Sequence, residues 1–434
     1  MSGPQPQHQA ADGHRVSQLT EHLFRHEAGK LVSILTGIFG VHRLQMAEDV
    51  VQEALVRALQ TWPFYGIPAN PSAWLMQTAK HLALDLIRRE TSFQQKQPRI
   101  IEFIEQRLAD TDTAGTPRFD DEIKDDRLRL MFTCCHPQLP QEAQTALALK
   151  VLCGFSPLEI ASAFLTSEAA IAKRLTRARQ RLQEENVAFE IPSGIELPTR
   201  LDAVLQILYL LFNEGYKASS GDRLIREELC SEAIRMTTLL VGHPAGNQPR
   251  THALLALMLL SGARLPARLD AEGNLLRLDE QDRTQWIGAM IQRGLVHLGL
   301  SAQGDQASEY HLQAGIAACH CLAPDAASTD WPQILRLYDH LMQMSDSPVI
   351  ALNRAVALAK VRGPAIGLAA VEAILDRQPL DSYHLFHAVM GELEAQRHHY
   401  QNAAAHLRMA LQLTELAPER TLLTKRLQEC EQQP

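Results

Sequence analysis

Residues 143–185, AQTALALKVLCGFSPLEIASAFLTSEAAIAKRLTRARQRLQEE, limit what the chain can become more than any other stretch. Their apolar spacing predicts three short helices in succession. The first ends at Cys153-Gly154-Phe155, where glycine opens a turn. Ser156-Pro157-Leu158-Glu159 then reads as a capping box with proline at the first helical position, where its missing N–H has no helical partner to lose. A second turn, Leu165-Thr166-Ser167, precedes the last helix. There Ile171, Leu175, Ala178 and Leu182 share one stripe. Lys173, Arg174, Arg177 and Arg181 fall within about a third of a turn on the opposite side, at about 100° per residue. One face packs on the preceding helices and the other carries the cations.

Two tight turns leading into a helix with a basic outer face make a helix-turn-helix. Such a helix lies in the major groove of duplex DNA, its N-terminal residues at base edges and its later cations near phosphates. On this reading Ser167, Ala170, Lys173 and Arg174 face bases, while Arg177 and Arg181 mainly position the backbone.

The remainder reads as helical too. Aromatic residues are 5% of the chain and strand-type alternation is scarce, so an all-α fold is expected. With 434 residues, 46% of them hydrophobic, the chain can bury several separate cores. Its net charge of -8 excludes a general polyanion binder and confines any DNA contact to local basic faces. No apolar run reaches the roughly 18 to 20 residues of a membrane span, and the N-terminus lacks signal-peptide character, so no membrane association and a cytoplasmic location are expected. The seven cysteines suit reduced thiols; Cys134-Cys135-His136 and Cys319-His320-Cys321 lack paired metal-ligand spacing, so neither metal nor cofactor is expected.

Residues 1–15 form a polar tail, and helices begin near Val16. In residues 47–62, Val51, Ala54, Leu55, Ala58 and Trp62 make the packing face, opposite Asp49, Gln52, Glu53 and Val56. A loop rich in proline, glycine and aromatics follows, and Asn70-Pro71 suits the cap and first position of the next helix. That helix places Leu75, Ala79, Leu82 and Leu86 on its buried stripe and turns Lys80, His81, Leu84, Asp85 and Arg88 to solvent. Phe64, Tyr65 and Trp74, near those cations, have the character of a stacking platform for unpaired bases, or of ordinary core. Residues 93–127 make an acidic linker, and residues 128–187 hold the helix-turn-helix. A break at 188–198 leads into a helical extension, residues 199–434, with a weak repeat of about 33 to 34 residues near 350–415, the period of a tetratricopeptide pair. Gly391, Ala403 and Ala410 are the small residues that close helix contact in such a repeat requires.

Taken in order, these features resemble a bacterial extracytoplasmic-function sigma factor over roughly residues 22–185. AEDVVQEALVRAL resembles the region-two helix that docks on core RNA polymerase, and WLMQTAKHLALDLIRRE the helix that reads the melted upstream-of-start element, so region two spans about 16–92. The resemblance implies that Asp49, Gln52 and Glu53 face polymerase. It also implies that Trp62 to Asn70 cradle a flipped base flanked by His81, Asp85, Arg88 and Arg89, His81 standing where many relatives carry Asn. Residues 143–185 resemble region four, which binds the distant promoter element as duplex. DDRLRLMFTCCHPQLP and LYLLFNEGY resemble a subgroup with a long C-terminal helical extension, which implies regulation through that extension and an unidentified regulator bound to it. Core RNA polymerase and promoter DNA are the implied partners, and no catalytic residue is required.

Two other readings compete. A helical-repeat adaptor would bind DNA or protein without polymerase. An enzyme would have to use Glu214, Tyr216, Asp222 and Glu227 near Cys230, a set without the nucleophile, base and orienting group of a recognisable reaction.

Overall fold

The computed structural model describes residues 27–93, 118–163, 166–191, 196–218, 224–304, 306–374 and 378–433. The expected tail, the helix start near Val16 and residues 94–117 of the expected linker lie outside these. All regular elements among the described residues are helices, and the one extended feature is an isolated antiparallel bridge between Leu269 and Leu275. The chain divides into two units, one ending at Leu211 and one beginning at Phe212.

The first unit starts with helical residues 27–39 (α1) and a short 3-10 turn, Val41–Arg43. α2 (Leu44–Tyr65) packs on α3 (Pro71–Phe93). Leu31, Leu35, Leu44, Leu75 and Ile87 form their buried centre. α2 buries Val51, Ala54, Ala58 and Trp62, as its spacing predicts, but runs one turn past Trp62 to Tyr65 with Pro63 inside it. Proline is tolerated there because the carbonyl it leaves without a donor, that of the exposed Leu59, borders the last turn. The loop therefore shrinks to residues 66–70, opened by Gly66 at φ 84°.

In α3 the buried stripe is Leu75, Ala79, Ala83 and Ile87, and Leu86 is exposed. A four-residue step keeps these on one face, leaving Leu82 and Leu86 at its edge. Lys80, expected at the surface, is buried at 4% exposure. It lies seven residues before Ile87, two turns along the same face.

The acidic stretch around Asp120 to Asp126, expected as an extended connector with short helices, lies in α4 (Arg118–Cys134). α5 (Gln141–Cys153), α6 (Pro157–Ala163) and α7 (Glu168–Glu184) are the predicted trio, packed around Phe132, Leu147, Phe155 and Ile160. α8 (Glu196–Tyr216) begins in this unit, where Gln206 accepts a hydrogen bond from Gln141.

In the second unit α10 (Pro249–Gly262) is buried along nearly its whole length and packs on α9 (Glu227–Val241), α11 (Gly288–Ser301) and α12 (Glu309–Leu322). The end of α8 meets the start of α9 at Asn213-Glu214-Gly215-Tyr216. A Cβ on Gly215 would lie 2.7 Å from the Cys230 amide nitrogen and 2.9 Å from the Arg226 carbonyl oxygen, so the junction requires glycine. Glu214 pairs with buried Arg226 at 3.3 Å, and the Arg268 guanidinium lies 3.9 Å above the Tyr216 ring. Structural contacts thus engage this motif; Asp222 lies outside the described residues.

Helices then pair in sequence: α13 (Trp331–Met344) with α14 (Pro348–Arg362), α14 with α15 (Pro364–Glu372), and, after the short α16 (Gln378–Asp381), α17 (His384–Gln396) with α18 (Tyr400–Leu413) and α18 with α19 (Ala417–Glu431). Gly367 and Gly391 mark the closest approaches. A Cβ on Gly367 would lie 2.4 Å from that of Ala359, and one on Gly391 would lie 3.2 Å from the Ala403 carbonyl oxygen.

Candidate nucleic-acid interface

Local sequence fixes the helix-turn-helix. Gly154 at φ 69° ends α5 in the left-handed conformation. The Ser156 amide donates to Glu159 Oε2 at 2.8 Å and the Glu159 amide to Ser156 Oγ at 3.2 Å, the reciprocal capping box that starts α6. Ser167 caps α7, its Oγ accepting the Ala170 N–H at 3.2 Å, so the side chain assigned to a base is engaged with its own helix. Ile171, Leu175, Ala178 and Leu182 are buried as the stripe predicts.

The other face is a groove. Ala170, Lys173, Arg174, Arg177 and Arg181 line a cavity of about 570 Å³ whose far wall includes Gln138, Pro140 and Glu142. Arg174 pairs with Glu142 at 2.6 Å, and Arg181 with Glu185 at 3.0 Å. Among the described residues Lys173 and Arg177 have no carboxylate partner, so the groove keeps a net positive charge that favours phosphate.

Sequence reasoning missed Arg179. It turns away from the groove and chelates Glu48 of α2, Nε to Oε2 at 2.7 Å and Nη2 to Oε1 at 2.8 Å. The signal was present: Arg179 lies four residues after Leu175, on the packing side of α7, and Glu48 adjoins buried Ala47 and Val51.

The second candidate surface is on α2 and α3. Phe64 and Tyr65 project from the last turn of α2 at 83% and 86% exposure, whereas Trp62 is buried and meets Trp74 edge-on with ring centroids 5.6 Å apart. Trp62 is therefore packing, and Trp74 is half-buried beside it. Asn70 Oδ1 accepts the Ala73 N–H at 3.0 Å, the expected cap. His81, Asp85, Arg88 and Arg89 are exposed along one side of α3, without Lys80. On α2, Asp49, Gln52 and Glu53 are exposed with Val56 and Leu59; Gln45 donates to Asp49 at 2.8 Å and Arg57 to Glu53 at 3.0 Å.

Cys134 and Cys135 are buried, and burial pushes both thiols well above their ordinary range, which keeps them protonated and inert. Burial likewise pushes Cys321 up to about 11 and His320 down to about 4. Among the described residues no three His, Cys, Asp or Glu side chains gather as a metal site requires, and no helix is long and apolar enough to cross a membrane.

Known proteins share these features. Residues 23–93 match the Sigma-70 region 2 family and residues 129–182 match Sigma-70, region 4. Residues 200–302 match a family of unknown function (DUF6596). An uncharacterized protein of Rhizobium meliloti (strain 1021) is 40% identical over 352 residues, 81% of this chain and 82% of that protein. The ECF RNA polymerase sigma factor SigL of Mycobacterium tuberculosis (strain ATCC 25618 / H37Rv) is 31% identical over 140 residues, 32% of this chain and 72% of SigL. No solved structure matches the chain significantly. Region 2 and region 4 follow one another here as two helical modules, the second a helix-turn-helix, and the chain belongs to the ECF RNA polymerase sigma factor family.

Proposed function

We propose that this sigma factor brings core RNA polymerase to its promoters through two grips. Ala170, Lys173, Arg174, Arg177 and Arg181 hold the distant element as duplex, and Phe64, Tyr65, Asn70 and Trp74 with His81, Asp85, Arg88 and Arg89 hold the melted one. Asp49, Gln52 and Glu53 dock on polymerase. The observation that carries this reading is the gathering of the α7 cations on one groove, where Lys173 and Arg177 have no carboxylate partner among the described residues. Bond making belongs to the polymerase; the sigma factor supplies placement and strand opening. Acidic and basic faces on one chain of net charge -8 serve the two partners separately. The test is transcription in vitro with core polymerase and genomic DNA, sequencing the 5′ ends. Discrete start sites preceded by two spaced elements support the reading, and initiation without common upstream elements refutes it.

The extension governs this activity as a tetratricopeptide-like array, and it is required for transcription: helical arrays offer grooves for other molecules more readily than they plug a site. Pairing of α14 with α15 and of α17 with α18, closed by Gly367 and Gly391, supports the repeat. A chain ending after Tyr216 that keeps its helix content but loses promoter-directed transcription supports the requirement. Transcription above that of the full chain establishes inhibition instead.

A further inference from the structure

The second unit holds a cavity of about 660 Å³ between α14, α17 and α19, lined also by the residues before Trp331 and around Arg277. This volume lies in the range of small-molecule sites, roughly 300 to 1,000 Å³. Its body is apolar, lined by Val356, Leu385, Ala388, Val389 and Leu422. Its polar residues fall into two groups that differ in a way that selects a ligand.

Around Glu392 the charges cancel. Arg426 Nη2 is 2.6 Å from Glu392 Oε2, and Arg277 is 3.4 Å from Asp279. The group around Thr329 carries an uncompensated cation. Thr329 is 6% exposed, and its buried hydroxyl has no hydrogen-bond partner among the described residues, a condition that costs free energy unless a ligand supplies one. Beside it Trp331 offers an indole ring, with the Lys360 ammonium 5.8 Å from the ring centroid. Among the described residues Lys360 has no carboxylate within ion-pair distance. Asp330, the acid nearest in sequence to Thr329 and Trp331, gives its oxygen to the Gln333 N–H at 2.9 Å. An ammonium and a buried hydroxyl, both without partners among the described residues, thus line the same cavity as an aromatic face and a set of aliphatic side chains.

We propose that this cavity binds a small amphipathic carboxylate. Its acyl or aryl body lies along Val356, Leu385 and Val389, and its carboxylate takes the Lys360 ammonium and the Thr329 O–H. The ion pairs around Glu392 are already neutral and offer no net charge to attract a second ion. This site stands whether or not the extension governs transcription, because its evidence lies wholly within the second unit.

Decanoate is the probe, titrated calorimetrically into the full-length protein beside two amphiphiles of the same chain, decyl glucoside and decyltrimethylammonium. Decanoate is expected to bind one to one, and more tightly than either companion. Lys360→Gln, an exposed change that leaves the fold intact, weakens it about tenfold. Thr329→Val, which keeps the side-chain shape, weakens it about fivefold. Magnetisation transferred from the Trp331 indole to the decanoate chain places the ligand in this cavity even where Thr329→Val perturbs packing. The inference is overturned by the absence of saturable decanoate binding, by equal affinity for decyltrimethylammonium, or by unchanged affinity in Lys360→Gln.

Discussion

Arg179 of α7 holds both carboxylate oxygens of Glu48 of α2, 131 residues earlier, and the two side chains retain 16% and 10% of their exposure. This bidentate pair joins the region-four helix to the region-two helix within one unit. Removing one partner leaves a mostly buried charge unmatched. Glu48→Ala or Arg179→Ala is therefore expected to destabilise the unit by about 3 kcal/mol, and Glu48→Leu with Arg179→Leu by much less. Guanidinium unfolding of the single and double variants measures the coupling. Additive effects would show that the pair contributes no more than its separate packing.

The α7 groove makes a prediction of opposite signs. Lys173 and Arg177 face it without acidic partners among the described residues, so Lys173→Ala and Arg177→Ala should each weaken duplex promoter binding about tenfold and lower the salt slope by about one. Glu142 occupies Arg174 at 2.6 Å from across the groove. Glu142→Gln releases that guanidinium and should tighten binding by about threefold. Fluorescence anisotropy at several salt concentrations reads both. Weaker binding by Glu142→Gln would mean that Glu142 orients Arg174 for its contact.

Around the loop 66–70, shape and recognition separate. Asn70 caps α3 through the Ala73 N–H, so Asn70→Ala should cost about 1 kcal/mol of stability. Phe64 and Tyr65 are so exposed that Phe64→Ala and Tyr65→Ala should leave the melting temperature unchanged. If they stack on unpaired bases, each change weakens open-complex formation about tenfold, measured by permanganate reactivity of the melted strand. Full open-complex formation by the double alanine variant would remove them from the melted-element grip.

The helix-turn-helix was legible because its signals are local. A capping box, a left-handed glycine and a four-residue apolar stripe fix α5, α6 and α7 without help from distant residues. Lys80 was misplaced because helical spacing locates a stripe only to within one residue's rotation, and its stem packs on the side set by Ala83 and Ile87. The extra turn of α2 past Pro63 depends on an exposed carbonyl, which spacing does not reveal. The Glu48–Arg179 pair joins positions far apart in the chain; only the helix faces hinted that a buried acid and a packing-side arginine had to find each other. Thr329 and Lys360 are brought to one cavity by the stacking of successive hairpins, which no local pattern encodes.

Below pH 4.5 the extension should show a pH dependence that comes from Glu419. It is 4% exposed at the start of α19 and receives the Lys217 ammonium at 2.8 Å, His384 Nε2 at 3.1 Å and the Thr414 O–H at 2.6 Å. Burial works against its ionisation, but these hydrogen bonds and the Lys217 charge outweigh burial and hold the carboxyl down at about 2 against an ordinary 4.5. A folded value below the unfolded one means the stabilisation is complete above pH 4.5 and declines as pH falls towards 2. The loss across that window should be on the order of 2 kcal/mol, and it severs Lys217 at the end of α8 from the last helix of the unit. Denaturant titrations at pH 5.5 and pH 3 on wild type and Glu419→Gln measure it, because the glutamine variant has no proton to gain at this position. Wild type should lose its advantage over Glu419→Gln as the pH is lowered. An advantage that persists unchanged at pH 3 would place the acid sensitivity of the extension elsewhere.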